Sequence, residues 1–155
     1  GAGKLGLLTA QVLRLTGCDL FVVARHTRQK ELLAGWGIRT VSCDDLADGT
    51  ADVVVDCTGV PQGLADAMRL VRARGTIVLK STYADPATLD LAPLAVNEVA
   101  LVGSRCGPFP AALRLLEEGL VDVPSLIEAR YDLTDAPAAL AHAAQPGALK
   151  VLLVP

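Results

Sequence analysis

The chain opens Gly1-Ala2-Gly3-Lys4-Leu5-Gly6, and these six residues decide how the rest is read. They follow a G-x-G-x-x-G spacing and run straight into an apolar helical stretch. In that pattern the first glycine allows a tight turn and the second lets backbone approach a pyrophosphate. The third lets the helix pack closely on a sheet. The helix start offers free N–H groups to an anion. The same glycines also suit a plain turn with no ligand, so the context decides. A helix and then a strand must follow, and Leu20-Phe21-Val22-Val23-Ala24 supplies the strand. The motif should itself follow a strand, yet the chain begins inside it and has no initiator Met. The expectation is a piece of a longer protein, entered at the first strand–helix turn.

Working outward, Lys4 to Thr16 reads as a helix with Leu5, Leu8, Val12 and Leu15 on its inner face. Gly17 stops it. Thr27 caps a second helix carrying Leu32, Leu33 and Trp36, and Ile38 to Val41 is a short strand. Val53-Val54-Val55 reads as a strand buried on both faces, ending Asp56-Cys57-Thr58-Gly59. Pro61 starts a helix with Leu64, Met68 and Val71 inward, broken by Gly75. Thr76 to Leu79 and Val99 to Gly103 are further strands, and Pro110 to Glu118 is a helix with Leu113 and Leu116 inward. This alternation predicts βαβ units and a parallel sheet with right-handed crossovers. After Val123 the pattern changes to a short strand–helix–strand appendix: Ile127 to Tyr131, Ala136 to Ala144, Leu149 to Val154.

Composition narrows the class. The 155 residues suit one domain, with 52% hydrophobic and 20% charged residues. Mean hydropathy is +0.43, as expected for strands covered on both faces. Net charge is −3 with no basic tract, which argues against nucleic-acid binding. No apolar run reaches membrane-spanning length, and no signal peptide is visible, so the expected location is the cytoplasm. Cys18, Cys43, Cys57 and Cys106 form no C-x-x-C pair and read as buried free thiols.

In an open parallel sheet, ligands sit outside the carboxyl ends of the strands. That rule selects Arg25 and His26, Cys57 to Gly59, Lys80 to Thr82, and Ser104 to Cys106. An NAD site wants an acid at the end of the second strand. Asp19 lies at the wrong end of that strand, while Arg25 holds the right one, with His26, Arg28 and Lys30 close behind. Positive charge there favours a 2′-phosphate, hence NADP over NAD; the alternative is a solvated basic helix start. A serine hydrolase lacks its G-x-S-x-G and a P-loop its G-K-[ST]. Tyr83 and Tyr131 lack the lysine four residues on that a short-chain dehydrogenase needs. His142 reads as a packing residue, and Asp56 as a structural acceptor of backbone N–H groups.

The segments Gly1–Gly6, Val53–Gly59, Gly75–Tyr83, Val102–Phe109 and Gly147-Ala148-Leu149-Lys150-Val151 resemble the nucleotide-binding part of the medium-chain dehydrogenase/reductase superfamily, of the zinc-dependent alcohol dehydrogenase type. The resemblance covers nearly the whole chain. It implies an α/β Rossmann-type doubly wound parallel sheet of order 3-2-1-4-5-6, here lacking its first strand. It divides the chain into a nucleotide-binding domain, 1–123, and a segment, 124–155, that returns to a catalytic domain outside this sequence. It implies that Gly1, Gly3, Lys4 and Leu5 face the pyrophosphate, with Gly6 packing the helix. Arg25 takes the ribose-selecting position. Cys57 and Thr58 with Gly59, Lys80 and Ser81, and Arg105 and Cys106 line the nicotinamide side, and Lys150 stands near the pyrophosphate.

No catalytic residue and no zinc ligand can be carried onto this chain; zinc is expected only in the catalytic domain. The implied function is the cofactor-binding part of an NAD(P)-dependent alcohol or polyol dehydrogenase. Its substrate would be a small alcohol or polyol, and its assembly a homodimer or homotetramer. Alternatives are a zinc-free quinone reductase-like enzyme, a non-catalytic dinucleotide-binding module, and a methyltransferase. Arg25 argues against the last, which wants an acid at that strand end.

Overall fold

The computed structural model describes residues 1–83 and 88–155. Strands and helices alternate along most of it. Helix α1 (Lys4–Arg14) starts from Gly3, and no side chain caps it. Gly17, with φ +75°, turns the chain into β1 (Phe21–Val23). Helix α2 (Thr27–Gly35) and β2 (Arg39–Val41) follow, and β1 and β2 pair in parallel with Phe21 opposite Arg39.

The second run is β3 (Ala51–Asp56), α3 (Pro61–Leu70), β4 (Val71–Leu79), α4 (Ala92–Val96) and β5 (Ala100–Gly103). Its strands form a parallel sheet of order β3-β4-β5, with Val53 opposite Thr76 and Thr76 opposite Ala100. Helix α5 (Phe109–Glu117) closes this part. The tail holds β6 (Ile127–Asp132), α6 (Ala136–Ala143) and β7 (Lys150–Val154), with β6 and β7 parallel. The parallel pairs joined by helices bear out the doubly wound expectation.

Strands β1 and β3 do not pair. A cavity of about 720 Å³ is lined by Phe21–Val23 on one side and Val53–Val55 on the other. Thr9, Ala10 and Leu13 of α1 and Ala67 of α3 also line it. The core is correspondingly split. One cluster centres on Leu7, Leu33 and Leu149, and the other on Leu64, Ala67 and Ile77.

This split corrects several expectations. Val53 is 56% exposed, so β3 is not buried on both faces. Among the described residues it has a partner on one edge only, and Val53–Val55 line the cavity. Helix α1 buries Gly6, Leu7, Ala10 and Gln11, while Leu5, Val12 and Leu15 are exposed. The small residues Gly6 and Ala10 let the backbone approach closely, Leu7 fills the core, and Leu5, Val12 and Leu15 are left outside. Helix α5 buries nothing, and Leu113 and Leu116 lie exposed. Thr27 is the first helical residue rather than the cap; His26 holds the cap position. Helix α3 ends at Leu70, not at Gly75, because Val71 already pairs with Ala51. Helix α4 was not foreseen. Cys18 and Cys106 are exposed, and Cys43 and Cys57 half-buried, so the thiols are free but not sequestered.

Candidate functional site

The glycine loop lies directly on the turn that follows β3. A side chain at Gly1 would come within 2.7 Å of Thr58 Cα and 2.9 Å of the Cys57 carbonyl carbon. A side chain at Gly6 would collide with the Gly1 carbonyl. Both positions therefore require glycine for close approach. Gly3 differs: nothing lies within 4 Å of a side chain placed there. Its neighbourhood is open, as a phosphate approach requires. The first turn of α1 lacks a capping side chain, so its N–H groups point outward as an anion site does. These observations fit the pyrophosphate of a dinucleotide.

Beneath Gly1, the end of β3 is knotted to the end of β4. Asp56 is 2% exposed. Its Oδ1 accepts the Thr58 backbone N–H at 2.8 Å and the Thr58 hydroxyl at 2.7 Å. Its Oδ2 accepts the Tyr83 hydroxyl at 2.7 Å. The Ser81 hydroxyl donates to the Asp56 carbonyl at 3.3 Å and accepts the Gly59 N–H at 2.9 Å. Burial pushes the Asp56 carboxyl up, but the bonds from Thr58 and Tyr83 outweigh it and hold it below the ordinary carboxylate value. Burial, with the Asp56 hydrogen bond and charge, raises the Tyr83 phenol to about 12, so it stays a neutral donor. Burial also raises the Cys57 thiol. The expectation for Asp56 as an acceptor of backbone N–H is borne out.

Lys80 donates to the Ser104 carbonyl at 3.4 Å and to its hydroxyl at 3.3 Å, which ties the ends of β4 and β5. Arg105 and Cys106 follow on an exposed loop. The structure thus brings Gly1, Cys57, Thr58, Gly59 and Ser81 together, with Lys80 at the neighbouring strand end.

The other half of the strand-end face lies beyond β1 and β2. A pocket of about 720 Å³ is lined by Arg25, Lys30, Ser42, Cys43 and Arg69, with Asp44 and Asp66 at its wall. The Arg69 guanidinium is already committed, to Asp48 at 2.6 Å and to the Leu46 and Cys43 carbonyls. Neither His26 nor Arg28 lines this pocket. The His26 imidazole packs against Gly147, where a side chain would come within 3.0 Å of Nδ1. Arg28 donates to the Ser125 carbonyl at 3.4 Å. Lys4 also turns toward the tail, to the Leu149 carbonyl at 3.4 Å. Lys150, next in sequence, is exposed. Sequence reasoning counted Lys30 only as part of a basic helix start and gave Tyr83 no role. Helical spacing from Arg25 could have found the first; no local signal marks the second.

The sequence pattern of zinc-binding dehydrogenases matches residues 5–118. The chain belongs to the zinc-binding dehydrogenase family. A sorbitol dehydrogenase of Halalkalibacterium halodurans is 30% identical across the whole chain, which covers 50% of that relative. A D-arabinitol dehydrogenase of Uromyces fabae is 28% identical, with the same coverage. A zinc-binding dehydrogenase of Sinorhizobium meliloti, solved bound to NADP, superposes with a TM-score of 0.88 at 28% identity. This chain spans about half the length of each of these relatives. The likeness establishes the Rossmann-type fold of the family member described here. Among the described residues no group of three or more His, Cys, Asp or Glu is arranged to hold a metal ion. The residues present do not fit zinc, and no step is routed through it.

Proposed function

We propose that this chain is the cofactor-binding part of an NAD(P)-dependent alcohol or polyol dehydrogenase. The observation that carries this reading is the glycine loop seated on Thr58, with the uncapped start of α1 beside it. In the proposed complex, the α1 N–H groups take the pyrophosphate, and the α1 field favours its negative charge. The turns at Cys57–Gly59 and Lys80–Ser81 orient the nicotinamide ring. Once bound, the cofactor supplies a hydride acceptor or donor at the ring. The pocket at Arg25 and Lys30 supports NADP over NAD. Polyols enter as substrates from the names of the relatives, sorbitol and D-arabinitol dehydrogenase. We place the zinc of this family outside residues 1–155.

The test is a hydride-transfer screen of the native polypeptide that carries this chain. Polyols and simple alcohols should reduce NADP+, seen as absorbance of the reduced ring. Turnover of quinones with none of alcohols would overturn the substrate class, and failure to bind either cofactor would overturn the function.

We further propose 1–123 as the nucleotide-binding unit and 124–155 as a segment that joins a second domain. The separate β6–β7 sheet supports this division. So does a clasp at the junction. Gln11 bonds both the Asp122 N–H, at 2.6 Å, and the Asp122 carbonyl, at 3.2 Å, while Trp36 Nε1 donates to the Asp122 carboxylate at 3.1 Å. No helix among the described residues is long and apolar enough to cross a membrane. The four free cysteines support a reducing cytoplasmic location, which cell fractionation checks.

Strand β5 is exposed along its length and pairs on one edge with β4. An open edge strand invites pairing with another chain. We propose a homodimer or homotetramer joined there. Light scattering at micromolar concentration should give at least twice the monomer mass; a monomer would refute it.

A further inference from the structure

The Asp56 carboxylate is buried at the end of β3 and forms no ion pair with any described residue. Three donors converge on it: the Thr58 N–H, the Thr58 hydroxyl and the Tyr83 hydroxyl. Donors aimed at a carboxylate from close range keep it ionised. A turn needs only a neutral acceptor, which Asn or Ser would supply without burying a charge. The charge therefore calls for an explanation beyond the turn. It lies directly behind Thr58, whose backbone is the surface on which Gly1 rests. The cleft at these strand ends is thus backed by a buried anion.

A nicotinamide ring is a cation when oxidised and neutral once it has accepted hydride. Both forms carry the same phosphates, riboses and adenine. A fixed negative charge near the ring therefore acts on one form only. We propose that Asp56 is the counter-charge for the oxidised nicotinamide ring and biases the site toward binding the oxidised cofactor. The inference rests on the cofactor reading given above. The cations at the same strand ends are Lys80, held to Ser104 at 3.3 Å, and Arg105 on the exposed loop, while Arg25 lines one cavity together with Asp56. Lys80 opposes Asp56 in sign, so the two residues give opposite predictions.

The experiment measures dissociation constants of the native polypeptide for NADPH, by fluorescence, and for NADP+, by competition. The readout is their ratio, Kd(NADP+)/Kd(NADPH), in which loosening of the site cancels. Asp56→Asn keeps the side-chain shape and the Oδ1 acceptor, removes the charge and replaces the acceptor of the Tyr83 hydroxyl by an N–H donor; Tyr83→Phe controls for that lost bond. Asp56→Asn should raise the ratio about five-fold or more, the order expected of a unit charge in a partly desolvated site. Tyr83→Phe removes a hydrogen bond and no charge, and should leave the ratio unchanged. Lys80→Met should lower it. Equal weakening of both forms in Asp56→Asn would overturn the inference and leave the cofactor reading standing. Failure of the wild type to bind either form would overturn both. If Asp56→Asn does not fold, Lys80→Met decides: an unchanged ratio there refutes the electrostatic account.

Discussion

The proposed preference for NADP over NAD is expected to reverse in Arg25→Asp. The pocket past β1 and β2 holds three cations, Arg25, Lys30 and Arg69. Arg69 is spent on Asp48 and two carbonyls. Neither Arg25 nor Lys30 donates a side-chain hydrogen bond to another described residue, and both are exposed. They are therefore the groups available to a 2′-phosphate. A charge-assisted bond to phosphate is worth about 1.5–3 kcal/mol, and exposure brings the figure toward the lower end. The lower end alone corresponds to roughly ten-fold in affinity. Asp at position 25 would replace that attraction with repulsion of the phosphate and would accept from a ribose hydroxyl instead. Titration of the native polypeptide with both cofactors measures the effect. Tighter NAD binding by the wild type, or an unchanged preference in the variant, would refute it. Lys30→Ala should weaken NADP and leave NAD unchanged, whereas Arg28→Ala, on the far side of α2, should change neither.

The second large effect concerns the cavity between β1 and β3. Among the described residues both strands have a partner on one edge only, and residues of both line this cavity. Facing parallel edges separated in this way form a slot for one more extended strand, since neighbouring strands stand about 4.8 Å apart. A strand filling the slot would unite the two apolar clusters into one core. Without it, each backbone group left without a partner costs on the order of 1–3 kcal/mol. A whole domain is stable by only about 5–15 kcal/mol, so a few such groups decide the outcome. The 155-residue chain by itself should therefore unfold without a cooperative thermal transition. Fusing a strand of about six β-branched apolar residues ahead of Gly1 should restore a sharp one, because Gly1 lines the slot beside the strand ends. A cooperative transition in the unfused chain would refute this, as would a fused strand that changes nothing.

Much of this architecture is legible in the residues. Apolar runs such as Phe21–Val23 and Val53–Val55, set between glycine- and proline-marked turns, fix the alternation of strand and helix, because period and turn chemistry are local properties. The Gly1–Gly6 spacing marks the candidate anion site for the same reason: Gly1 and Gly6 answer local steric demands, and Gly3 leaves the approach open. The rule that ligands sit at strand ends then selects Thr58, Lys80 and Arg25 without any coordinates.

Three things were left to the tertiary structure. The buried face of α1 could not be read, because its aliphatic residues are spread over more than one face and packing buries Gln11 with Gly6, Leu7 and Ala10 while leaving Leu5 and Val12 outside. The positions of the basic residues after β1 depend on the direction of α2, which sends Lys30 to the Arg25 pocket and His26 and Arg28 toward the tail. The Asp56–Tyr83 bond joins residues 27 apart in sequence. Neither residue type announces such a bond; only the adjacency of β3 and β4 brings the carboxylate and the phenol together. Local patterns thus determined the elements and where the candidate site lies. Long-range packing decided which side chains share it and which charges stay buried, since those depend on neighbours that no stretch of sequence contains.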